Sequence, residues 1–216
     1  MKRIRVQRHG LGMRILHWLI VVEGIILGLT GMQLGGIWGV RILPEGGVWA
    51  LHVVIGLAWI ATAFVLLAYM VITGNYKWYS ISRVPYGLKY LIFEAKHWIS
   101  GGHTIAEPIK FDNENEKYVE KLVPTEIIVW WIFVVIGVII MITGLSLAFQ
   151  EQLSFLLGLF GVLSPILGGG PYSIARSIHL LMMFVVLGIF IIHVYAVLIF
   201  RMVRSIIFGD REEPLA

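Results

Sequence analysis

Four stretches of the chain, at about residues 15–34, 48–73, 126–149 and 174–200, stay apolar over the length a helix needs to cross a bilayer. The hydrocarbon core is ~30 Å thick and takes about 20 helical residues. Lipid offers backbone N–H and C=O groups no partner, so each stretch reads as a transmembrane helix that satisfies them internally. Composition agrees: 58% of the 216 residues are hydrophobic and 14% are charged, where a soluble domain carries roughly 25% charged residues. The expected fold is all-α, a four-transmembrane-helix bundle forming one integral membrane domain over residues 1–216. The N-terminus is basic and then apolar, but its apolar run has full spanning length and no small-residue cleavage site follows, so it reads as the first span rather than a signal peptide.

Basic residues orient the bundle. Of the 17 Lys and Arg, all but Arg41 and Arg176 fall in the N-terminal segment, the loop 74–125 or the C-terminal segment. This bias puts both termini and that loop in the cytoplasm, for a multi-pass protein of the cytoplasmic membrane. The net charge of +4 is therefore a topological signature and gives no reason to expect nucleic acid. The absence of cysteine excludes disulfides, Cys-ligated iron–sulfur clusters and covalent c-type haem attachment.

Within the cytoplasmic loop, "YGLKYLIFEAKHW" sets Tyr86, Tyr90, Leu91 and Trp98 among Lys89, Glu94 and Lys96, the pattern of an amphipathic helix lying on the membrane surface. The next piece, "EPIKFDNENEKYVEKLVP", has the charge density of a solvated loop, and Pro124 opens the third span. The outer loop "QEQLSFLLGLFGVLSPILGGGPYS" is apolar yet broken by Gly158, Gly161, Pro165 and the run Gly168 to Pro171. It reads as an interfacial or partner-covered segment.

Four histidines fall inside spans: His17, His52, His179 and His193. A lone intramembrane histidine is more often a packing or relay group than a ligand, but polar groups at this depth are costly and usually functional. At 1.5 Å and 100° per residue, His179 and His193 sit about 21 Å apart along the fourth span and only ~40° apart around it. By depth, His17 belongs with His193 at the inner side and His52 with His179 at the outer side. Two neutral imidazoles facing each other across an apolar bundle suit the axial positions of a b-type haem iron. Zinc suits them less, because a closed structural site gathers four ligands.

Glycines test this arrangement. Gly24, Gly28 and Gly31 follow His17 at helical spacing on the same face, Gly56 lies one turn from His52, and Gly137 and Gly144 form a stripe in the third span. Small residues of this kind leave room beside a helix, either for another helix or for a cofactor. Arg14 and Arg176 each stand three residues before a candidate ligand, one turn closer to water, where each suits a haem propionate or a lipid headgroup.

"RILHW" opening the first span with "LTG" closing it, "LHVVIG" opening the second, "MITGL" in the third and the paired histidines of the fourth resemble one family. It comprises the di-haem cytochrome b (gamma-type) subunits of respiratory formate dehydrogenases and membrane-bound nickel–iron hydrogenases. The resemblance implies two haem b groups held by His17/His193 and His52/His179. It also implies electron transfer between iron–sulfur and catalytic subunits at the outer face and a quinone near the inner haem. Formate dehydrogenase members carry a Tyr-Asn and Gln-Lys pattern before the third span; here "KFDNENEKYVEKLVPTE" stands instead, so no quinone residue transfers by position.

Chemistry then nominates the proton donors that quinone reduction needs: His97, His103, Glu94 and Glu126 on the inner side, and Glu23 within the first span. Two other readings stay open. One is a stand-alone transmembrane electron carrier, or one coupled to a multihaem cytochrome c. The other is a haem-free membrane anchor or proton-coupled transporter. With no native cysteine, single introduced ones report topology cleanly. A Lys117→Cys protein should react with a membrane-impermeant maleimide only from the cytoplasmic side, and Gln152→Cys only from the outside; the reverse pattern would invert the orientation.

Overall fold

The computed structural model describes residues 3–101 and 108–216. In chain order the elements are β1 (Arg3–Gln7), α1 (Leu11–Gly35), α2 (Glu45–Ile72), α3 (Val84–Ile99), β2 (Lys110–Asp112), β3 (Lys117–Glu120), α4 (Pro124–Ala148), α5 (Ser154–Phe160), α6 (Ser164–Leu167), α7 (Pro171–Ile199), α8 (Val203–Ile207) and β4 (Asp210–Pro214). Helices α1, α2, α4 and α7 are long and apolar enough to cross a membrane. In the most apolar window of each, no more than 17% is buried inside the protein, and in α7 none is. Apolar surface left bare on this scale needs a non-aqueous surrounding, so the chain is an integral, multi-pass membrane protein.

Local chemistry sets the helix ends. Pro124 begins α4, where its missing N–H costs nothing. Three residues beyond Val123, the Glu126 carboxylate reaches back to accept the Val123 N–H at 3.2 Å, one half of a capping box. Pro171 likewise begins α7. At the end of α2 the Gly74 N–H returns to the Val71 carbonyl, with Gly74 at φ 69° in the left-handed conformation that favours glycine. The amphipathic segment expected in the loop is α3, which begins with a proline in its first turn and buries Gly87 and Glu94. In the loop between α4 and α7, the short helices α5 and α6 expose Phe155, Leu159, Ile166 and Leu167.

The chain divides into two compact units. Residues 1–15, 67–132 and 191–216 form the first, and residues 16–66 and 133–190 the second. The first unit corrects one expectation, because the segment read as a solvated loop is partly folded. β2 and β3 pair antiparallel, and Ile109, Phe111, Leu122 and Val123 around them are buried. Ile109 and Val123 pack with Met202, against Tyr90, Tyr118, Val197 and Phe200. A second unexpected pairing joins the two ends of the chain, since β1 runs antiparallel to β4 from Arg3 opposite Pro214 to Gln7 opposite Asp210. Beyond β4, Leu215 bridges Phe111 and the Ala216 N–H bonds the Phe111 carbonyl, so the C-terminal residues tie the N-terminal strand to the loop hairpin.

At this junction sits a buried ionic cluster. Glu213, fully buried, accepts from Arg8 at 2.9 Å, from Arg211 at 2.7 Å and from the Tyr118 hydroxyl at 3.2 Å. Arg211 also donates to the Phe200 carbonyl, and Arg8 lies 3.6 Å from Glu126. Charges withdrawn from water this completely persist only when paired on several sides, and removing one partner strands the others. At the edge of the cluster, Lys121 donates to Asn75 at 2.9 Å. Burial, with the Arg8 charge adding to it, holds its ammonium down to about 8.

Two consequences are measurable by unfolding in detergent. Glu213→Ala should lower stability by about 3–5 kcal/mol, because it leaves two buried guanidinium groups without their shared carboxylate. The Lys121 value is depressed from 10.5, so between about pH 8 and 10.5 the unfolded chain binds more protons at this site than the folded one. The Lys121 contribution should therefore make stability rise with pH across that window, and Lys121→Met should remove that slope.

Candidate functional site

Two of the four intramembrane histidines meet within the second unit. His52 stands in α2 and His179 in α7, and their ring centroids are 6.2 Å apart with the planes inclined at 76°. Each ring is anchored through Nδ1 to a threonine of another helix. Thr30 Oγ1 of α1 lies 2.8 Å from His52 Nδ1, and Thr143 Oγ1 of α4 lies 2.8 Å from His179 Nδ1.

The direction of these bonds follows from counting protons. A hydroxyl has one hydrogen to donate and lone pairs to accept with. Thr30 Oγ1 donates back to the Ile26 carbonyl at 2.7 Å, and Thr143 Oγ1 does the same to Ile139 at 2.7 Å. With that hydrogen committed, each threonine oxygen accepts the Nδ1–H of its histidine. Assigned in this way, both imidazoles are neutral Nδ1–H tautomers with their lone pair on Nε2, the form in which histidine binds a metal.

Glycines complete the setting. A Cβ built on Gly31 would stand 3.4 Å from His52 Cε1, and one on Gly144 would stand 3.2 Å from His179 Cε1. At Gly144 a side chain would press on the imidazole, while at Gly31 the first carbon would be in ordinary contact with the ring. At Gly24 and Gly28 a Cβ would meet nothing from a neighbouring element within 4 Å among the described residues, and at Gly56 it would make only ordinary contact with Leu27. Helix packing therefore does not demand those three glycines. Gly137 differs, because a Cβ there would crowd Trp59 at 3.1 Å.

The remaining expected residues are distributed as follows. His17 lies in the second unit with its ring edge-on to Trp18 at 5.5 Å, and His193 lies in the first unit, in α7. Arg176 of α7 reaches the Leu34 carbonyl at 3.4 Å. Arg14 donates to the Ile207 carbonyl at 2.7 Å. Glu23 accepts from the Thr62 hydroxyl at 3.1 Å through Oε1, while its buried Oε2 has no hydrogen-bond partner among the described residues. Glu126 serves the α4 N-terminus and faces Arg8. His97 stacks on Phe93 at 6.2 Å, and its buried Nε2 has no hydrogen-bond partner among the described residues. Burial pushes the nearby Glu94 carboxyl up, opposed by a hydrogen bond with Thr125. His103 lies outside the described residues.

Thr30 and Thr143 were not among the expected site residues. Their signal was the threonine that precedes glycine in both "LTG" and "MITGL", which becomes meaningful only once a second helix supplies the histidine. Among the described residues no group of three or more His, Cys, Asp or Glu side chains gathers to hold a metal ion; His52 and His179 stand as a pair. A family model described as prokaryotic cytochrome b561 matches residues 8–209. No curated protein matches the chain.

Proposed function

Because the chain belongs to the prokaryotic cytochrome b561 family, we propose that His52 and His179 are the residues that would hold a haem b and that the protein carries electrons across the cytoplasmic membrane. The family implies haem b binding, and the residues fit it. Two imidazoles bound to one metal through nitrogens at about 2 Å hold their ring centres roughly 6 Å apart, and these two stand at 6.2 Å. That distance, with both Nε2 lone pairs left available by the threonines, is the observation that carries the reading. Haem b supplies a one-electron couple whose potential is tuned by axial ligation, burial and hydrogen bonding.

The chain's own residues do the rest. Gly31 and Gly144 let the imidazoles stand close to α1 and α4, and Gly24, Gly28 and Gly56 keep helix faces low where no side chain of the chain needs the space. Arg176 offers a cation one turn toward the outer side of His179, suited to a propionate. Arg14 would play the same part beside His17, although it also holds the Ile207 carbonyl. The second haem is assigned to His17 and His193 on sequence depth alone. The basic-residue bias supports a cytoplasmic location for both termini.

The circuit follows the resemblance: electrons enter at the outer face from iron–sulfur and catalytic subunits, or from a cytochrome c, and leave to a quinone at the inner side. For the proton that quinone reduction takes up, His97 and Glu94 of α3 are better placed chemically than Glu126, whose carboxylate is committed to Val123 and faces Arg8. Glu23, held by Thr62, is a second candidate.

Haem content tests the ligand assignment. Purified His52→Ala and His179→Ala proteins should each lose one of two haem b groups per chain by pyridine haemochrome assay, and His17→Ala and His193→Ala should each lose the other. Retention of both haems in the His52 and His179 variants would overturn the assignment.

A further inference from the structure

We infer that the dipeptides Thr30-Gly31 and Thr143-Gly144 form a matched pair of positioning devices that set the tautomer, the tilt and the donor strength of both outer imidazoles, and so hold down the reduction potential of the outer centre. This rests on the haem reading above.

The warrant is a repeated constellation in a chain whose sequence shows no internal repeat. In each case a threonine hydroxyl spends its proton on the carbonyl four residues back, at 2.7 Å. It then accepts a histidine Nδ1–H at 2.8 Å, and the following glycine lies beside the same ring at Cε1, where an added Cβ would stand 3.4 Å away at Gly31 and 3.2 Å away at Gly144. Threonine back-bonding is common in helices and alone would mean little. Here the same oxygen also orients a side chain of a second helix, and it does so twice, from α1 to α2 and from α4 to α7.

Burial strengthens the case. Thr30 is 1% exposed and Thr143 is 0% exposed, and Thr30 is the single buried residue of α1. In so dry a setting a hydrogen bond is stronger than in water, and its loss leaves an orphaned donor. An Nδ1–H given to an oxygen acceptor makes the opposite nitrogen more basic. A more basic ligand favours the oxidised metal, so both threonines push the potential downward.

Redox titration of purified Thr30→Val, Thr143→Val and the double variant provides the test, with Thr→Ser at each position as the conservative control and His52→Ala alongside. The expected result is that each valine variant shifts the midpoint of one haem upward and leaves the other in place. The double variant should shift it further, and the serine variants should titrate as the parent does. Midpoints unchanged in haem-loaded valine variants, or displaced equally by serine and valine, would overturn the inference. If valine prevents haem loading, the serine variants decide: native midpoints support the hydroxyl's role, and failure to load contradicts it. Should His52→Ala keep both haems, the ligand assignment itself fails, an outcome separate from any result at the threonines.

Discussion

Inside a bilayer a polar group must find its partner within the protein, because the surroundings supply none. That constraint accounts for the polar side chains placed among the apolar spans. Thr30 and Thr143 return their hydroxyl protons to their own helices and accept from His52 and His179. Thr62 donates to Glu23. Each imidazole is thereby left with one unused group, the Nε2 lone pair. On the proposed reading, satisfying the histidines on one side is what frees them to serve as ligands on the other.

The first unit obeys the same rule with charges instead of hydroxyls. Glu213 is shared by Arg8, Arg211 and Tyr118, and it draws the last strand onto the first. Arg8 in turn faces Glu126, which caps α4. A carboxylate near one end of the chain is thus coupled through an arginine near the other end to the start of a membrane span. This explains why Glu126 serves structure, while His97 of α3 keeps spare hydrogen-bonding capacity among the described residues.

Much of this was legible in the sequence, for definite reasons. A spanning helix is written in twenty consecutive residues, so the expected spans differ from α1, α2, α4 and α7 by a few positions at their ends, where Pro124, Pro171 and Gly74 act. Histidines were conspicuous because apolar runs rarely tolerate them, and their depth followed from helix rise. The threonines were silent, since a threonine in a span is unremarkable until the histidine of another helix is brought to it. The terminal strands were similarly hidden. Ile4 and Val6 alternate with polar residues as a strand would, but the partner lies some two hundred residues away and the basic charges invited a topological reading. The hairpin at 110–120 was masked by its charge density, although Phe111 and Val123 were available to bury.

His52 and His179 are proposed to hold one common haem iron. An electron paramagnetic resonance spectrum of the oxidised, purified protein addresses this proposal most directly. Low-spin ferric signals of bis-imidazole ligation, with one such signal lost in His179→Ala, are the predicted result. A spectrum that is only high-spin, or low-spin signals untouched by that substitution, would contradict it.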